Sequence, residues 1–211
     1  MARSKRSQAS VRNSSLLDFL VSLMAKDQKL TSLDLYKVLM FESARRIEAM
    51  NFILAGGTRL SEGIIRELCY LQLRMLCEAI ALACLVAHGD IAEAHTRRFE
   101  REWSADKIIK QLEALNPHFF PQQAEFAPGS IKANTKPNAL KKSELLDLYN
   151  KCGGLLHRGT LKKLASTSPF GERINAPDIV NWTQKIEDLL GSHIIPLKLT
   201  TDATTVTSVI L

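Results

Sequence analysis

The chain has 211 residues and a mass of 23.5 kDa; 45% of its residues are hydrophobic, 24% charged and only 6% aromatic. That length suits one domain with a substantial core, the composition is globular rather than disordered, and few aromatics beside many Leu and Ala favour helix packing over a sandwich or barrel. The formal charge of +6 is uneven, because Arg3, Lys5, Arg6 and Arg12 sit in residues 1–14 with no acid among them. The pI of about 9.2 therefore describes a basic tail, read as a solvated, disordered leader, on a nearly neutral body.

Taken in chain order, Leu16, Leu17, Phe19, Leu20, Leu23 and Met24 form one apolar stripe after Ser15, with Asp18 placed for a capping box. Asp18 also interrupts the apolar stretch that a secretory signal would need. A second helix is expected from Thr31 or Ser32, with Leu35, Val38, Leu39, Met50, Ile53 and Leu54 inward and a stop at Gly56-Gly57. The third runs from about Ser61 to His88 and is apolar on most of its circumference, which predicts the central helix of a bundle. Its longest apolar run, Met75 to Ala87, contains Glu78 and falls short of the roughly 18 residues of a membrane span.

Asp90 opens a fourth helix, Ile91 to Leu115, ending at Asn116-Pro117. Its Arg97, Arg98 and Arg101 interleave with Glu93, Glu100 and Glu102, the pattern of a solvated, ion-paired face. Residues 117–142, with Pro117, Pro121, Pro128, Gly129 and Pro137, read as a long connecting loop. A fifth helix follows from Ser143 to Arg158, closed by Gly159, and a sixth from Pro177-Asp178 to about His193. The β-branched ending, Leu197 to Leu211, predicts one or two strands, with a hairpin around Asp202-Ala203. The fold class is all-α, a five- or six-helix bundle over 15–196 with a short β-rich tail at 197–211.

Two constellations carry chemistry. On the third helix Glu67, Tyr70, Arg74 and Glu78 fall three or four apart on one face of an apolar element, where a charge has to be paired. On the fifth, Leu148-Tyr149-Asn150-Lys151-Cys152-Gly153-Gly154-Leu155-Leu156-His157-Arg158-Gly159 holds two glycines that cost about 2 kcal/mol against two alanines. Keeping them implies close backbone approach to a helix or a ligand. His157 at the helix end beside Arg158 is an acid/base arrangement suited to phosphodiester chemistry, and a hydrogen-bonded structural histidine is the alternative. His88, Asp90 and His95 are a weaker metal-ligand set. Cys69, Cys77, Cys84 and Cys152 form no Cys-x-x-Cys pair and read as reduced core thiols of a cytoplasmic protein. No nucleotide-cradling or cofactor motif occurs.

The order of elements, with Arg74 and Glu78 on a long helix and a late helix bearing Tyr149, small residues and a terminal His157, resembles the HEPN superfamily of helical domains, found in RNases, toxins and defence proteins. Members that cut RNA carry an Arg a few positions before the His. Here Asn150, Lys151 and Cys152 occupy that stretch, and Lys151 is its one cation. The resemblance implies a homodimer with the His-bearing helices near its two-fold axis, acting on or binding RNA without a metal. His157 would be the general base towards a 2′-hydroxyl, Arg158 with Lys151 or Arg74 would stabilise the phosphorane, and Glu78 would orient Arg74. The rival expectation is a non-catalytic protein-interaction module in which Arg74, Glu78, Tyr149 and His157 fix helix register.

Overall fold

The computed structural model describes residues 31–88, 101–157, 174–200 and 203–210, with 197–200 and 203–210 described as backbone alone. The helix expected at Leu16–Met24, the first part of the fourth helix, and Arg158 lie outside the described residues. Within them the protein is mostly helical, with five helices and a four-stranded antiparallel sheet.

Helix α1 spans Ser32–Leu54. Thr31 caps it: its Oγ1 accepts from the Asp34 amide at 3.2 Å while the Asp34 carboxylate accepts from the Thr31 amide. Tyr36, Met40, Ser43, Ile47 and Met50 are buried at spacings of three and four, one continuous face. The helix stops where Gly56 takes φ +83°, a backbone that a side chain would strain.

Helix α2, Glu62–Ala87, returns antiparallel to α1 and lies at the centre, touching α1, the later helices and the sheet. It is long and apolar enough to cross a membrane, with a mean hydropathy of 1.6 over its best window, of which 56% is buried by the rest of the protein. Leu73, Leu76, Cys77, Ile80, Ala81 and Cys84 are sealed from solvent, so the central-helix expectation matches the packing.

The fourth expected helix is shorter in its described part than the periodicity suggested. Residues 102–104 are not helical, and α3 covers Ala105–Leu115. Glu102 explains the break, because its carboxylate accepts from the Trp103 and Ser104 amides and so holds a turn there.

Residues 117–142, expected as a loop, carry structure of their own. Strands β1 (Gln122–Ala127) and β2 (Ser130–Ala133) pair around Pro128-Gly129, with Gly129 at φ +74° in the turn position that suits glycine. The strands are short and polar and bury little, so alternation was too weak to announce them. Phe119 just before them is fully buried and packs edge-on against His88 and Phe120.

Helix α4 (Lys142–Leu156) packs on α2, and α5 (Ala176–Leu190) leads through Gly191 into β3 (Ser192–Thr200) and β4 (Ala203–Ile210). The hairpin expected at the C-terminus forms, but it begins at Ser192, so His193 belongs to a strand and not to a helix end. The sheet order is β2-β1-β3-β4, joined where Gln122 and Gln123 face Ile194 and His193.

Two buried histidines tie sheet to helices. His193 Nδ1 donates to the Leu190 carbonyl at 3.2 Å and its Nε2 accepts from the Tyr36 hydroxyl at 2.5 Å. Burial depresses the His193 pKa, which keeps the ring neutral as that geometry requires. His88 Nδ1 donates to the Cys84 carbonyl at 2.8 Å, and Asn116 Nδ2 lies 3.2 Å from His88 Nε2 and 3.1 Å from the Pro196 carbonyl.

Replacing Phe119 by Ala should therefore cost about 3–5 kcal/mol, the range for emptying a large core site. Urea unfolding measures it: a midpoint that barely moves would show that the 117–121 segment is not part of the core.

Candidate functional site

The polar line of α2 and the glycine-bearing segment of α4 meet. Arg74 Nη2 donates to the Tyr149 hydroxyl at 2.7 Å, and the guanidinium carbon lies 4.2 Å from the centre of the Tyr149 ring. Arg74 Nε is 3.3 Å from Glu78 Oε1, one helical turn along α2. A Cβ on Gly153 would stand 2.8 Å from Arg74 Nη1, so an alanine there would make the guanidinium shift from its place against this backbone. Gly154 faces open space. Of the two alternatives for the glycine pair, Gly153 takes close approach to a neighbouring helix.

One turn away a second cluster forms around Asp178, in the first turn of α5. Its carboxylate accepts from Lys151 Nζ at 2.6 and 2.8 Å, from the Tyr70 hydroxyl at 2.7 Å and from Trp182 Nε1 at 3.2 Å. Asn175 caps the helix by accepting from the Asp178 amide. Burial works against ionisation of Asp178, but the hydrogen bonds from Lys151 and Tyr70 outweigh it and hold the carboxyl below its ordinary pKa. Burial and the neighbouring carboxylate raise the Tyr70 phenol, which stays protonated and donates. Lys151 and Lys185 both lie 6.0 Å from the Trp182 ring centre.

The expected site residues thus separate into three groups. Arg74 and Glu78 meet, as their spacing of four suggested, and Tyr149 joins them. Lys151 stands with Asp178 rather than with them. His157 is the C-cap of α4, exposed, with its amide on the Gly153 carbonyl at 3.3 Å and no side-chain hydrogen bond to a described residue. Asn150 and Glu67 are exposed. Of the metal-ligand set, His88 is buried with Nδ1 on a carbonyl, and Asp90 and His95 lie outside the described residues. Among the described residues no group of His, Cys, Asp or Glu is arranged to hold a metal ion.

The four cysteines are free and buried, and burial pushes the Cys152 thiol up to about 12, so it is an inert packing group. Asp178 and Trp182 went unnoticed in the sequence, where Asp178 read only as a helix-start acid. Their spacing of four residues was the available sign that both share one face of α5.

No family model matches the chain, and neither a curated protein nor a solved structure matches it.

Two outcomes follow from this geometry. Gly154→Ala should be neutral or gain up to about 1 kcal/mol of helix propensity, whereas Gly153→Ala should fall at least about 1 kcal/mol below it because Arg74 must move. Equal melting temperatures for the two variants would remove the close approach. The Asp178 pKa is lower in the folded than in the unfolded chain, so its stabilisation is complete above the unfolded value of 3.8 and disappears as pH falls through the folded value. The stability gap between wild type and Asp178→Asn should stay constant from neutral pH to about 5 and close below about 4. A gap that widens in acid would contradict the assignment.

Proposed function

We propose that the protein is a helical interaction module in which the Arg74 and Asp178 clusters fix the register of α2, α4 and α5. The observation that carries this reading is the commitment of Lys151 to both oxygens of Asp178. An RNase of the type resembled needs a cation poised for a phosphorane, and the two described cations that the resemblance would use, Lys151 and Arg74, are each paired with a carboxylate. Desolvated polar pairs of this kind hold helices in one register, because a slipped alternative leaves each group unmatched. On this reading the module works as a homodimer or with a protein partner, off the membrane, in a reducing cytoplasm that suits its four buried thiols.

A second reading is favoured by one observation: His157 is exposed at the end of α4, beside the open face of Gly154. That placement leaves the imidazole reachable by a large substrate. An HEPN-like protein that binds or cleaves RNA without a metal, in a toxin-antitoxin or phage-defence setting, would use it with Arg158.

Incubation of a labelled mixed-sequence RNA with wild type and His157→Ala in EDTA separates the two. The interaction module leaves the RNA intact, and His157→Ala, being exposed, changes stability by no more than a surface change does, about 0.5 kcal/mol. Cleavage that survives EDTA and disappears in the variant would overturn the first reading and identify the base.

A further inference from the structure

At the opposite end of α4 from His157, roughly 22 Å away along a 15-residue helix, lies a cleft of about 500 Å³. Its walls are the stretch from Pro117 to Gln123, the stretch from Asn134 to Lys142, and Leu189 of α5. The volume is that of sites for small organic ligands. No Asp or Glu lines it, whereas Lys136, Lys141 and Lys142 all do.

Each ammonium has a carboxylate near it outside the cleft, but N–H donors stay open. Lys136 touches a single oxygen of Asp188 at 3.3 Å, and Lys142 a single oxygen of Glu113. An ammonium has three donors, so each keeps two. Lys141 is exposed and its ammonium forms no ion pair with a described residue. Glu144, the nearby acid of the first turn of α4, does not line the cleft; its oxygens are engaged by the Lys141 amide and by Lys185.

Gln123 adds a fixed donor to the lysines. It is 2% exposed, yet it lines the cleft, and its Oε1 accepts from Thr135 Oγ1 at 2.9 Å and from the Lys136 amide at 3.0 Å. With the oxygen end fixed by two donors, the amide nitrogen is left without a partner among the described residues. That nitrogen is not sealed from solvent, so it is a donor that an anion in the cleft can reach. Beside this polar end, Phe120 and Pro121 offer a flat apolar wall.

We propose that this cleft binds a small organic phosphate of nucleotide size, with its dianion held by Lys136, Lys141, Lys142 and the Gln123 amide, and its organic body against Phe120 and Pro121. Three ammonium groups and an amide donor match a phosphate monoester, which has two charges and three accepting oxygens, better than a single carboxylate. The site goes beyond the reading of α4 as an interaction helix and stands or falls separately from it.

Calorimetric titration of the full chain with AMP, inorganic phosphate and adenosine tests the proposal. AMP should bind with a dissociation constant below about 1 mM, and phosphate and adenosine should each be at least about tenfold weaker. Gln123→Glu, which keeps the acceptor oxygen and replaces the free donor by a charge, should weaken AMP at least about tenfold. Lys141→Ala, an exposed change that leaves the melting temperature in place, should weaken it about threefold or more. Absence of heat with AMP up to about 10 mM, adenosine binding as tightly as AMP, phosphate binding as tightly as AMP, or unchanged affinity in both variants would each overturn it.

Discussion

A helix that is apolar around most of its circumference has to be covered on every side it can be, and α2 places that demand on the rest of the chain. Each large side chain it removes from water contributes about 1.5–3 kcal/mol, against the entropy of ordering the elements that cover it. α1, α3, α4 and α5 all pack upon it. The same helix carries polar groups among its apolar ones, and covering them is harder than covering leucine. Arg74 is met by Glu78 on its own helix and Tyr149 on α4, and Tyr70 by Asp178 on α5. Apolar burial brings the helices together, and these few hydrogen bonds decide which residue stands opposite which.

Much of this was legible in the sequence because its signals were local. The Thr31 cap, the glycine stop after α1 and the apolar circumference of α2 each act within one or two turns. The pairing of Arg74 with Glu78 is a spacing of four, and of the two mid-helix glycines of α4 one, Gly153, has a neighbouring helix's side chain against it. What was hidden depends on partners far along the chain. Asp178 and Lys151 are 27 residues apart and Tyr70 and Asp178 are 108 apart, separations at which no periodicity speaks. Strands β1 and β2 were missed for another reason. They are polar and short, and what holds them is Gln122 and Gln123 facing β3, with the Ser192 hydroxyl on the Ala124 carbonyl.

The candidate site shows how one residue type can serve two ends of a helix differently. Along α4 the C-terminal lysine, Lys151, is neutralised by a carboxylate that also serves a tyrosine and a tryptophan. At the N-terminal end, Lys141 and Lys142 stand where orphan amides and lysines favour negative charge. The first arrangement consolidates three helices. The second leaves positive charge and an unmatched amide at a walled opening.

The ties between sheet and helices join distant parts of the chain: Tyr36 to His193 across 157 residues, and Asn116 to the Pro196 carbonyl across 80. Ribosomes add about 5–20 residues per second, so close to 8–30 s separate the synthesis of the two ends of the first tie. Through most of that interval α5 is also missing, Tyr36 lacks its acceptor and β1 has β2 but not β3 beside it. A nascent chain is therefore most open to mispairing and to capture by chaperones after α3 has emerged and before β3 has. The imidazole of His193 closes that window when it takes the tyrosine hydroxyl.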